Sequence, residues 1–167
     1  MLDRPGGRRY PASMGVLARL QERSGSPRVR LARALRGAYL DTRRLAIQLR
    51  RHAERVPYPG LGPQLTRLAE HADGQAALLV DELRALAGNT NQADTLTPRA
   101  GRNHWERLTF DLADLSALHR RYAEIALQWD VAFPATVATV DQLARTTGAM
   151  IAAIRAMVAR SDPHADN

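Results

Sequence analysis

Histidine beside carboxylate is the pairing in this chain with the power to hold a metal ion. Glu70, His71 and Asp73 fall within one helical turn, and Asp111 and Asp114 lie within about two turns of His119. Nitrogen and oxygen donors of this kind suit zinc or iron where three or more converge. No two histidines share a helix at metal-binding spacing, and His52 and His119 fall on inward stripes, where a hydrogen-bonded histidine serves equally well. Arg99 and His104 repeat the arginine–histidine spacing of some helical-bundle ribonucleases, but Gly101 between them argues against one shared helix face. There is no cysteine, so disulfides, thiolate metal sites and cysteine nucleophiles are excluded. Serine elbows, phosphate-binding glycine loops and zinc signatures are missing. No catalytic residue and no cofactor are expected. The six acids and histidines Glu70, His71, Asp73, Asp111, Asp114 and His119 stand as metal candidates only in an alternative reading with a rearranged site.

Charge is the second chemical signal. Residues 1–55 carry 14 arginines and 4 acids, whereas the rest of the chain is net −3, so the formal +7 comes from the first third. Arg8, Arg9, Arg36, Arg43, Arg44, Arg50 and Arg51 are the candidates to meet an anion, either nucleic acid or an acidic protein surface. The alternative is a solvated arginine-rich helix face. No apolar run approaches the ~20 residues that cross a bilayer, and the first 30 residues lack the apolar centre of a signal peptide. A cytoplasmic protein without a membrane partner is expected.

These residues must be positioned by helices. In residues 102–129, Trp105, Leu108, Leu112, Leu115, His119, Tyr122, Ala126 and Trp129 recur at gaps of three and four, the period of one buried helix face. Residues 1–11, with two prolines and two glycines, read as an irregular basic arm, and residues 12–23 as a short helix. Ser26 and Pro27 then open a long helix over residues 27–56. Its main stripe includes Leu35, Thr42 and Leu49. A second strip, Ala32, Tyr39, Leu40, Ala46 and Ile47, is separated from the first around the helix. Monomers seldom leave such a strip uncovered, so Tyr39, Leu40 and Ile47 are assigned to self-association as a homo-oligomer.

A proline-rich reversal at 57–63 leads to a second helix over 63–87, closed by Gly88 and Asn89, and a reversal at 130–133 leads from the third helix to a fourth, which Pro134 opens and which ends near Arg160. Short reversals make antiparallel hairpins. Residues 88–101 differ: they have no helical period and reach ~45 Å when extended, more than the ~38 Å of the second helix. They suffice to return along the whole bundle and make the second and third helices parallel. The expected division is a basic arm with a short helix at 1–26, a four-helix bundle at 27–160, and a disordered tail at 161–167.

Leu68-Ala69-Glu70-His71-Ala72, followed by Leu83-Arg84-Ala85-Leu86-Ala87-Gly88, resembles the second helix and glycine stop of bacterioferritin-type bundles. His104-Trp105 after the crossover, then Tyr122-Ala123-Glu124-Ile125-Ala126-Leu127 and Pro134, is similar to an uncharacterised bacterial ferritin-like bundle family. The resemblance spans about residues 30–160 and implies an all-α, ferritin-like four-helix bundle of two hairpins joined by a long crossover. It also marks a departure. Ferritin-like oxidases carry two Glu-x-x-His pairs; here Glu70 is followed by Asp73 and Glu106 by Thr109, and the seams are expected to hold no carboxylate. The resulting expectation is a non-catalytic, self-associating structural or binding module. A DNA-protecting type of nucleic-acid binder is the first alternative, and a rearranged metalloprotein the second.

Overall fold

The computed structural model describes residues 25–90 and 96–161. Within them run four α-helices: α1 (Pro27–Ala53), α2 (Gly62–Ala85), α3 (His104–Trp129) and α4 (Pro134–Arg160). Residues 1–24, with the expected arm, short helix and Arg8 and Arg9, lie outside the described residues, as does the tail beyond Ser161.

The termini follow local chemistry. Ser26 caps α1, its Oγ 3.4 Å from the Val29 amide, and Pro27 occupies the first turn, where a missing N–H is no loss. α1 stops at Ala53, earlier than the expected 56. The Arg55 amide bonds to the His52 carbonyl in a tighter turn, and Pro57 steers Val56 away from helical geometry. Asn103 caps α3 through Glu106 N–H at 2.8 Å. The Glu106 carboxylate reaches back to the Arg102 amide, and that bond, with the Arg102 side chain, holds its carboxyl below the ordinary value.

α2 closes in a Schellman turn. The Gly88 amide bonds to the Leu83 carbonyl at 2.7 Å and the Ala87 amide to the Arg84 carbonyl at 2.9 Å. The left-handed position belongs to Ala87, at φ 54°, and not to the glycine beside it. Gly88 is needed for closeness instead: a Cβ there would lie 3.1 Å from Leu83 Cδ2 and 3.3 Å from Ala32 Cβ of α1. Ala87→Gly is therefore expected to stabilise the protein by about 1 kcal/mol. Gly88→Ala should act in the opposite direction. Urea midpoints that move the other way would contradict this account of the turn.

Side-chain contacts fix the topology. Arg28 at the start of α1 donates to the Ala85 and Leu86 carbonyls at the end of α2, and Arg43 pairs with Asp73 further along, so α1 and α2 are antiparallel. Thr42 meets Tyr122, Gln48 meets Asp111 and Arg107 reaches the Arg55 carbonyl, so α1 and α3 are antiparallel as well. Between α2 and α4, Gln75 meets Thr147 and Glu82 accepts from Thr136 and Thr139. α2 and α3 thus begin at one end of the bundle and run parallel, so the end of α2 and the start of α3 lie at opposite ends of it. Packing is closest within the two hairpins, α1 with α2 and α3 with α4, and the hairpins meet mainly through α1 and α3.

This placement gives α1 two neighbours and a wide buried face. Tyr39 (1% exposed) and Ala46 lie in the core together with Leu35, Thr42 and Leu49. The assignment of Tyr39 to self-association is thereby corrected, since the second strip is covered in large part by the chain itself. Leu40 and Ile47 are half-buried. α3 is rotated slightly from the expected stripe. Its buried set is His104, Leu108, Asp111, Leu115, Leu118, Tyr122, Ile125 and Trp129. Trp105, expected inside, is 40% exposed, and Asp111, at 0%, puts a carboxylate in a seam expected to have none.

Candidate functional site

The densest polar cluster of the described residues lies between α1 and α3, where the crossover arrives. Its members come from three segments: Gln48 and His52 from α1, Asp111 and Asp114 from α3, and Arg99 from the crossover. Gln48 and His52 are one turn apart on the buried face of α1, as Asp111 and Leu108 are on α3.

Gln48 Nε2 donates to Asp111 Oδ1 at 2.9 Å and to Asp114 Oδ2 at 3.0 Å. Its Oε1 accepts from the Arg99 amide at 2.7 Å. His52 Nε2 lies 3.1 Å from the Arg99 carbonyl, and Nδ1 lies 2.9 Å from Asp111 Oδ2. A carbonyl only accepts, so Nε2 carries a hydrogen. Both backbone groups of Arg99 are held by buried side chains, and the Arg99 side chain extends over the Phe110 ring and towards Asp114 at 3.4 Å. Arg44 lies 3.9 Å from the same Asp114 oxygen. The cluster is a latch for the crossover. Its acids and imidazole face one another and the backbone, an arrangement suited to fixing a chain segment.

Next to the latch, His104 is 8% exposed and neither ring nitrogen has a partner. Its ring meets the Tyr58 ring edge-on at 5.6 Å. Burial first, and then the Arg107 charge, push its pKa below the ordinary value. A histidine kept neutral in the fold takes up a proton more readily when the chain unfolds. Stability is therefore expected to fall as pH drops from about 6.5, the unfolded value, through the lower folded value. His104→Phe should flatten this acid limb and raise stability, because two unpaired buried nitrogens are removed. Urea unfolding at neutral and mildly acidic pH checks both; an unchanged limb in the variant would contradict it.

The six metal candidates are not brought together. Glu70 and His71 are exposed on the outer face of α2, Asp73 pairs with Arg43 at 2.9 Å and with Arg50, Asp111 and Asp114 belong to the latch, and His119 sits half-buried near Gly148 of α4. Among the described residues no group of three histidines or acids could hold a metal ion. The arginines of α1 are largely engaged within the chain. Arg43 and Arg50 share Asp73, Arg44 lies between Asp41 and Asp114, and Arg36 donates to the Asn89 carbonyl at 3.1 Å. Arg51 is exposed.

Gln48 was not legible as part of a site, because an amide on a buried face has no motif. Asp111 had a signal: the set 104, 108, 111, 115, 118, 122, 125 and 129 alternates threes and fours as regularly as the stripe one position away. No protein-family model matches the chain, and no curated protein is detectably similar to it. No helix among the described residues is long and apolar enough to cross a membrane.

Proposed function

We propose that this chain is a ferritin-like helical-bundle module that works by association and binding rather than by catalysis. Two antiparallel hairpins, α1 against α3, and a crossover along the bundle support the ferritin-like arrangement. One observation carries the non-catalytic reading. Among the described residues, the buried carboxylate, amides and threonines, and the buried imidazole of His52, are hydrogen-bonded inside the protein: the latch, Thr42 with Tyr122, Gln75 with Thr147, and Thr136 with Glu82; of the buried acid–base groups only the His104 imidazole and the Tyr39 phenol lack a partner. A general acid or base needs a free face towards a substrate, and the bonded groups have theirs occupied. The engaged arginines of α1 weigh against the nucleic-acid alternative.

For self-association, support has moved to the end of α3. Leu127 is 82% and Val131 90% exposed, and they stand four residues apart at the α3–α4 reversal. Light scattering is the test. Wild type should have the mass of a dimer or larger at micromolar concentration, and Leu127→Asp with Val131→Asp should reduce it. A monomeric wild type would overturn the reading, and loss of assembly in Leu40→Asp with Ile47→Asp alone would return the contact to α1. Nucleic-acid affinity that falls steeply with salt would favour the basic-arm alternative.

A further inference from the structure

At the end of the bundle where α1 and α4 finish and α2 and α3 begin, a cleft of about 420 Å³ opens between the 57–61 reversal and the last turn of α4. Tyr58, Gly60, Leu61, Gln64, Arg160 and Ser161 line it. Its volume is within the range that holds a small molecule. The walls differ in chemistry. Tyr58, half-exposed, and the buried Leu61 form the apolar side. Gln64 is tied by Nε2 to the Gly60 carbonyl at 2.9 Å, which fixes the floor. Across from them, the Arg160 guanidinium has no hydrogen bond or ion pair with a described residue, and the Ser161 Oγ is buried with no partner. A guanidinium without a partner and an aromatic ring lining one cleft match a planar anionic group attached to an apolar body.

We propose that this cleft binds a small monocarboxylic acid with a ring-sized apolar body. The carboxylate lies on Arg160, and the body lies against Tyr58 and Leu61. Arg is suited to the task because its planar fork matches a carboxylate bidentately. Tyr58 is also in edge contact with His104, so occupancy of the cleft is felt at that imidazole. The proposal is independent of self-association, since Leu127 and Val131 lie at the opposite end of the bundle.

Benzoate is the probe, titrated into the full-length protein at constant ionic strength and followed by NMR at the Tyr58, Gln64 and Ser161 amides and the His104 ring. Saturable shifts confined to these residues at millimolar benzoate are expected. Arg160→Met, at an exposed position, should keep the native spectrum and weaken binding tenfold or more, and Tyr58→Ala should also weaken it. Benzyl alcohol, the neutral counterpart, should bind at least tenfold more weakly. No saturable shift, undiminished binding in Arg160→Met, or equal binding of benzyl alcohol would each overturn the proposal.

Discussion

Asp111→Ala is expected to cost about 3–5 kcal/mol, because it strips a fully buried cluster of its central acceptor. His52 Nδ1 and one Gln48 hydrogen lose a partner, and the crossover loses its anchor. In a chain of this size that loss lowers Tm by roughly 10 °C or more. The Arg99 amide, which donates to Gln48, should lose its protection from hydrogen exchange before the helices do. Asp111→Asn provides the contrast. Its carbonyl can accept from Gln48 while its NH₂ donates to His52 Nδ1, leaving Nε2 to donate to the Arg99 carbonyl. The bonds made by residue 111 survive without its charge, so Asn should cost only about 1 kcal/mol, the scale of one hydrogen bond. Equal damage from Asn and Ala would show that the charge, and not the bonding pattern, holds the latch.

Tyr122→Ala is expected to be of similar severity, about 3–5 kcal/mol, by the cavity it leaves where α3 faces α1. Tyr122 is fully buried, and its hydroxyl lies 2.9 Å from Thr42 Oγ1. Thr42 also donates to the Ala38 carbonyl at 2.7 Å, so Tyr122→Phe leaves that hydroxyl bonded and should cost only about 1 kcal/mol. Phe should also change the alkaline limb. Burial pushes the Tyr122 pKa up to about 12. A phenol held neutral stabilises the fold fully below pH 10, and that stability is lost as pH rises from about 10 to about 12. The Phe variant should lack this part of the loss. Urea unfolding at neutral and alkaline pH measures both effects.

Much of the fold was legible because its punctuation is local. Pro27, Pro63 and Pro134 sit at helix starts, Gly88 follows the end of α2, and the length of the 88–101 segment anticipated a crossover. Which face of a helix is inward was less legible, because the answer depends on neighbours. Tyr39 looked uncovered when α1 was given one neighbour; with α2 on one side and α3 on the other it is core. On α3, Leu112 favoured one stripe by its hydrophobicity, but the latch requires Asp111 inside, and that preference turns Trp105 partly outward. The arginines of α1 read as a free basic face because their partner Asp73 is on another helix: Arg43 and Arg50, two turns apart, converge on it. The latch was illegible for the same reason. It joins residues about 50–60 positions apart that carry no shared motif.

The central claim is that α2 and α3 run parallel, so that the end of α2 and the start of α3 lie at opposite ends of the bundle. The chain has no cysteine, so pairs of nitroxide labels can be placed at will on exposed positions. Arg67 and Arg84 lie towards opposite ends of α2, and on α3 Ala113 lies near the middle and Gln128 at the end. Pulsed electron spin resonance should give about 15–25 Å for Arg67 with Ala113 and for Arg84 with Gln128, and about 30 Å or more for Arg67 with Gln128, given diagonal helices and 1.5 Å of rise per residue. Short distances for the crosswise pair and long ones for the first two would mean antiparallel helices and would contradict the account.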